Sequence, residues 1–116
     1  MPDNADNKAS QELIRVLKEA VRAGVNSIGL EYKGRDLTVF HNVGSVGLSA
    51  SRVSQELQQA VIEELVKRAG LSRKSKGKMQ VSLLGKDCEA VVEEYDFFGD
   101  SAFTITLGER KKQTGR

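Results

Sequence analysis

The chain has 116 residues, the length of one ordinary small domain. Its 18 basic and 16 acidic residues leave a formal charge of +2, so no global field points to a nucleic-acid or membrane partner. One cysteine and one histidine exclude an internal disulfide, a four-cysteine zinc site and a paired-histidine metal site.

The N-terminal segment predicts a short irregular stretch followed by a helix. Residues 1–9 are polar, so we expect them to be disordered. These residues contain no hydrophobic signal region. No apolar run of the chain has the ~18 residues that a membrane span needs. We therefore expect a cytoplasmic protein that has no membrane span. Ser10 is a candidate N-cap, residues 11–23 show helical apolar spacing, and Gly24 follows as a candidate C-cap.

The next segment changes from helical to alternating periodicity. Residues 28–32 alternate apolar and polar side chains, residues 33–36 form a turn, and a second strand begins at Leu37. Together they predict a β-hairpin. The glycine- and serine-containing stretch 41–51 is interpreted as a connection.

A second amphipathic helix is predicted after this connection, capped by Ser49 or Ser51 and ended by Gly70. Its apolar face repeats at steps of four and consists of Val53, Leu57, Val61, Leu65 and Ala69. Three further strands are predicted within residues 79–83, 88–95 and 102–107 from their alternating apolar positions. The polar, basic tail 108–116 is expected to be disordered.

These elements predict an α+β fold in a single domain over residues 10–107. Two helices pack on one mostly antiparallel sheet of about five strands, in the order α-β-β-α-β-β-β. Each helix has one apolar stripe and each strand one apolar face, so two layers suffice to bury the core.

The residue types that carry chemistry do not form a reactive set. His41 is the single imidazole and stands in an irregular glycine-containing stretch, where a surface or hydrogen-bonding role is favoured over that of a catalytic base. Cys88 stands between two acidic residues, which disfavour a thiolate, so we interpret it as a small core residue. We therefore expect no enzymatic activity, no cofactor and no dedicated metal site.

Four carboxylates precede or lie within the predicted strand 88–95: Asp87, Glu89, Glu93 and Glu94. Glu89 and Glu93 share one strand face and Glu94 lies on the other, so a solvated strand face is the favoured interpretation. A divalent ion held loosely by oxygen ligands stays an open alternative.

The sharpest charge feature is a basic run with the candidate contact residues Arg73, Lys74, Lys76 and Lys78. It suits a phosphate, a nucleic-acid backbone or an acidic protein partner; the alternative is a solvated loop. The tail adds Arg110, Lys111, Lys112 and Arg116. No aromatic residue is interleaved with either segment, so stacking on bases is not indicated.

Phe97 and Phe98 are consecutive, so in a strand they face opposite sides. One enters the core and the other marks a candidate protein interface. The alternative is a loop that folds both rings inward.

The order and spacing of these elements resemble the N-terminal, PAS-like domain of the traffic ATPases of type II secretion and type IV pili. The segment AGVNSIGLEYKGRDLTVFHNVG is similar to the family's G-A-S-D-I-H-L-E-P stretch and the strand after it. Further similarities lie at residues 66–71, at 77–79 and at 98–107. The resemblance implies a protein-interaction module whose partner is a secretion-type ATPase or a second copy in a homo-oligomer.

The sequence also departs from that family at positions that bear on ATP hydrolysis. The family's strand arginines fall on Val39 and His41, and the aspartate before its glycine falls on Val43. The ATPase core with its Walker loop would begin where this chain stops, so ATP hydrolysis is not expected. A small nucleic-acid-binding domain that uses loop 72–78 and the tail is the alternative function.

Overall fold

The computed structural model describes residues 4–97 and 99–109. These residues form an α+β fold of two α-helices, one short 3₁₀ turn and six strands. In chain order the elements are α1 (Asn4–Arg22), β1 (Ser27–Lys33), β2 (Asp36–Val43), β3 (Val46–Arg52), the 3₁₀ turn Gln55–Leu57, α2 (Gln58–Ala69), β4 (Lys76–Leu83), β5 (Lys86–Phe97) and β6 (Asp100–Glu109). No helix of this described part has the length and apolar character needed to cross a bilayer.

The prediction of about five strands in the order α-β-β-α-β-β-β was wrong. The sheet has six strands and the order is α-β-β-β-α-β-β-β. The additional strand is β3, which, apart from Arg52, lies within the stretch 41–51 that was interpreted as a connection. Its glycine and serines are tolerated because β3 is an edge strand that needs neither a buried face nor a high β-propensity.

The six strands form one antiparallel sheet in the order β3-β2-β1-β6-β5-β4. The last strand, β6, lies between β1 and β5, with Ile105 opposite Ile28 on one side and opposite Val92 on the other. The two halves of the chain therefore meet at the β1–β6 pair in the middle of the sheet.

Both helices contribute to a core on one side of the sheet, which we call the inner face. Alternate strand residues point to it and are buried, as the pattern of β4 shows with Met79, Val81 and Leu83. Phe103, in the central strand β6, is the largest fully buried side chain. The opposite side of the sheet, the outer face, carries the other set of alternate residues.

The C-terminal ends of both helices agree with the sequence, and the N-terminal ends differ. Gly24 and Gly70 adopt the left-handed conformation, with φ 73° after α1 and φ 68° after α2, as their positions predicted. α1 begins at Asn4, well before Ser10. Ser49 and Ser51 lie in β3, so neither caps α2, which instead follows the 3₁₀ turn Gln55–Leu57.

A polar network fastens α1 to the end of β3. The Arg15 guanidinium donates to the Glu12 carboxylate at 2.9 and 3.0 Å and to the Arg52 carbonyl oxygen at 3.2 Å. Glu12 also accepts the backbone N–H of Ser54 at 3.0 Å. The hydroxyl of Ser51 donates to the Glu19 carboxylate at 2.8 Å. Hydrogen bonds therefore hold both Ser51, near the end of β3, and Ser54, just after it, against α1.

Candidate interaction surfaces

Three of the four predicted basic residues surround one groove. Lys74, Lys76 and Lys78 line a shallow depression of about 400 Å³, together with Ala69, Gly77 and Val91. Arg73 is exposed nearby but does not line it. The sequence grouped these four residues because they lie within six positions of the chain, and the fold brings three of them to one groove.

The groove exists because β4 begins directly below the end of α2. A side chain at Gly77 would overlap the carbonyl oxygen of Ala69 and touch Leu71, so glycine permits the close approach. The last carbonyl groups of a helix carry partial negative charge, and the nearby lysines are favourably placed beside them. Part of the positive charge of the groove is therefore offset by the helix.

No carboxylate neutralises these lysines within the described residues. Between residues that the structure describes, the ion pairs are Arg15–Glu12, Arg15–Glu19, Arg52–Asp36 and Arg68–Glu64. Glu93 is the strand neighbour of Lys76 but forms no ion pair with it. The groove can thus attract an anionic group, although the carbonyl oxygens of α2 limit how deeply an anion can enter.

No helix among the described residues covers the outer face of the sheet, and aromatic side chains lie near its β5 end. Tyr95 is 36% exposed and Phe97 is 38% exposed. Both lie on the same face of β5 because they are two residues apart. Phe97 was predicted as an interface residue and stands on this face; Phe98 lies outside the described residues.

Small residues occupy the strand beside these aromatics. Ala102 is the partner of Tyr95, and Thr104 pairs with Gly29 of β1. The Tyr95 hydroxyl reaches over this strand and donates to the Glu31 carboxylate at 2.8 Å. Burial and the neighbouring Glu31 carboxylate raise the pKa of the Tyr95 phenol above its usual range. This part of the outer face therefore consists of small side chains beside the Tyr95 ring, whose orientation is fixed by the hydrogen bond to Glu31.

The sequence interpretation missed a third surface, at the tip of the β2–β3 hairpin. Val43, Val46 and Leu48 are each 56% exposed. Leu48 is opposite His41, which is itself opposite the buried Ile28, so these side chains lie on the inner face but beyond the cover of α1. The signal for this hairpin was present, because Gly44-Ser45 is a two-residue loop between alternating apolar residues.

His41 and Cys88, the single histidine and cysteine of the chain, do not form a reactive group together. His41 is half-buried in β2, and its buried Nε2 has no hydrogen-bond partner among the described residues. Cys88 is buried in the core cluster, and its thiol lies 3.8 Å from the Lys86 carbonyl oxygen. Among the described residues no three His, Cys, Asp or Glu side chains come together in a metal-binding arrangement.

The carboxylates of β5 take part in local hydrogen bonds. Glu89 accepts from the Gln80 amide at 3.1 Å, and Glu94 accepts from the Ser101 hydroxyl at 2.9 Å. These contacts tie β5 to the strands on either side of it. Their role in the fold is to support strand pairing on an exposed sheet.

Comparison with known proteins gives no further assignment. No protein-family model matches the chain, and no curated protein has significant sequence similarity to it.

Proposed function

We propose that this domain is a non-catalytic protein-interaction module that contacts a secretion-type ATPase or a related partner. The observation that carries the proposal is the outer face of the sheet, which no described helix covers and where the partly exposed rings of Tyr95 and Phe97 lie beside small residues of β6. Tyrosine and phenylalanine supply large contact areas in interface cores, and tyrosine is enriched among residues that dominate binding energy.

The geometry of Tyr95 favours such a role. Its hydroxyl is fixed by Glu31, so little side-chain freedom remains to be lost when a partner covers the ring. Ala102 and Gly29 in the two middle strands leave room for a partner segment to approach the backbone. The resemblance to the N-terminal domain of traffic ATPases supports an ATPase of that type as the partner.

The proposal is tested by measuring the affinity of the purified chain for the purified secretion-type ATPase of the same organism. Tyr95→Ser and Phe97→Ser are each expected to weaken binding about tenfold, the effect of removing an interface anchor. Tyr95→Phe keeps the ring and is expected to retain most of the affinity. Leu84→Ser, at an exposed leucine in the β4–β5 turn, is the matched control and should bind as the unmodified chain does.

Two results would contradict this function. One is the absence of binding by the unmodified chain at micromolar concentrations. The other is equal loss of affinity for the Leu84 control and the Tyr95 variant, which would indicate non-specific apolar contact. A thermal melt of each variant establishes that it is folded.

Binding of nucleic acid is the second candidate function, and the convergence of Lys74, Lys76 and Lys78 on one groove supports it. Lysine contacts to phosphates release counterions, so the affinity would fall steeply as salt increases. Residues 72–78, whose last three belong to β4, contain no aromatic side chain for base stacking, which favours backbone contact without sequence preference. The tail residues 110–116 proposed to assist lie outside the described residues.

A filter-binding titration with single-stranded RNA at two salt concentrations tests this alternative. The double change Lys76→Gln and Lys78→Gln should lower the slope of log affinity against log salt by about 2, roughly one unit for each phosphate contact. The control is the double change Lys8→Gln and Lys18→Gln on α1, which removes the same charge elsewhere. No binding at low salt, or equal effects of the two double changes, would exclude a site at the groove.

A further inference from the structure

The two edges of the sheet differ in how they are protected. β4, at one edge, begins among the lysines that line the groove. β3, at the other edge, has no charged residue from Val46 to Ser51. Edge strands of monomeric proteins are ordinarily protected against pairing by charges, proline or bulges. The bulge in the β2–β3 ladder lies near Val39 and Phe40, so it leaves the hairpin end of β3 regular.

The backbone of β3 offers unpaired groups at this edge. Val43 and Val46 flank the two-residue turn Gly44-Ser45, and in such hairpins the flanking residues are hydrogen-bonded to each other. Hydrogen-bonded and non-bonded positions alternate along an antiparallel pair. Gly47 and Ser49 therefore direct their N–H and C=O groups away from β2, toward a side where none of the described strands pairs.

The side chains of β3 alternate between apolar residues on one face and small residues on the other. Val46 and Leu48 project on the inner face and are each 56% exposed, whereas the small residues Gly47 and Ser49 project on the outer face. A second antiparallel strand with the same pattern would place its apolar residues against Val46 and Leu48 and its small residues against Gly47 and Ser49.

We propose that β3 pairs in an antiparallel arrangement with β3 of a second copy of this chain, so that the two sheets become one. A two-fold axis perpendicular to the sheet keeps the helices of both copies on the same side and brings the two Val46–Leu48 pairs together. The contact is isologous and closes at two subunits. The occupant is a second copy because the neutral segment 46–51 meets its own copy without like-charge repulsion, whereas a β4 edge would bring lysines against lysines.

This dimer goes beyond the proposed function, since it uses the edge of the sheet and leaves the outer face free. The contact consists of one short strand from each copy, so we expect a dimer whose population depends on concentration. The protein-binding function and the dimer can each hold without the other.

Sedimentation equilibrium of the purified full chain, from low micromolar to near-millimolar concentration, tests the dimer. The weight-average mass is expected to rise from the monomer value of 12.7 kDa toward twice that value. Leu48→Lys places a charge in the apolar contact and should keep the chain monomeric. Leu84→Lys makes the same change at a leucine that is 45% exposed in the β4–β5 turn, and should dimerise as the unmodified chain does.

Ser49→Pro tests strand pairing separately from apolar contact. It removes an outward N–H while leaving the bonds to β2 in place, so the dimer should be lost; a dimer that survives this change is not formed by β3 pairing. Hydrogen exchange of the unmodified chain gives an answer that does not depend on the folding of any variant. The Gly47 and Ser49 amides should become more protected at high concentration.

A monomer at all concentrations overturns the proposal. So does equal loss of dimer in Leu48→Lys and Leu84→Lys, or exchange at Gly47 and Ser49 that is independent of concentration. A mass that continues to rise beyond two subunits indicates open-ended association and contradicts the closed two-fold contact.

Discussion

Leu84 is in an unfavourable backbone conformation at the turn between β4 and β5. Among the described residues it alone is a non-glycine residue with positive φ, at 52°, and Gly85 follows it at 81°. Two successive positive φ values define a turn that prefers Asn-Gly. A left-handed conformation costs an ordinary L-residue about 1–2 kcal/mol, and asparagine tolerates it.

We therefore predict that Leu84→Asn raises the free energy of unfolding by about 1 kcal/mol. Urea denaturation followed by circular dichroism measures the change. Leu48→Asn, at an exposed leucine in a regular strand, is the control and should give no gain. Equal or lower stability for Leu84→Asn would show that the turn does not carry the expected strain.

Gly77 does not have a positive φ, so its backbone conformation does not require glycine. The position requires glycine because there is no room for a side chain. A Cβ at this position would overlap the carbonyl oxygen of Ala69, so α2 and β4 would have to separate. We predict that Gly77→Ala lowers the free energy of unfolding by about 1–3 kcal/mol, the usual effect of overpacking.

Gly108 provides the matched control for Gly77. A Cβ there would meet the Glu89 carbonyl oxygen at an ordinary contact distance of 3.8 Å, so Gly108→Ala should change stability by no more than about 0.5 kcal/mol. Thermal melts of both variants test the difference. If the two substitutions have the same effect, the close approach of α2 and β4 is not a constraint on the fold.

At the scale of elements, α1 is held to the chain that leaves β3 by the contacts of Glu12 and Arg15. The hydrogen bond from Arg15 is the main cause that lowers the pKa of the Glu12 carboxyl below its ordinary value of 4.5. A lowered pKa means that the native state favours the charged carboxylate. Its contribution to stability is present above about pH 4.5 and is lost as the pH falls through the lower native pKa.

We predict that Glu12→Gln lowers the free energy of unfolding at neutral pH by about 1–3 kcal/mol, the range for hydrogen bonds to a charged group. The deficit should shrink as the pH falls from about 4.5 through the lower native pKa, because the Glu12 carboxyl is protonated first in the unfolded state and then in the native state. Denaturation at a series of pH values measures both effects. Glu63→Gln, whose carboxylate contacts Gln59 on the same helix, should give a smaller deficit; a deficit for Glu12→Gln that does not depend on pH would contradict the assignment.

The elements that the sequence predicted correctly are those with buried periodic faces. The stripe that contains Val61, Leu65 and Ala69 is buried in α2, and the alternation of β4 matches its buried face. β3 was missed because its side chains are exposed and its pattern is not reinforced by a core. The local sequence pattern also could not predict that the lysines line a groove, because the groove depends on the contact of Gly77 with the end of α2.

At the scale of the whole molecule, the sheet is completed by the last strand. β6 pairs with β1 through Ile105 and Ile28 and with β5 along its length. Without β6, β1 and β5 would each lose a neighbour in the centre of the sheet. Phe103, which is fully buried, would also be lost from the core, so neither half of the chain keeps a complete core by itself.

This topology predicts that the domain unfolds as one unit when β6 is removed. Truncation after Gly99 deletes β6 and should abolish the native circular dichroism of both helices and the dispersed NMR amide spectrum, because the long-range β1–β6 pairing joins the two halves. Truncation after Glu109 retains all six strands and should leave the spectrum of residues 4–109 unchanged. Native α1, β1 and β2 signals in the shorter fragment would show that the N-terminal half is an independent folding unit, which an antiparallel sheet with β6 at its centre does not allow.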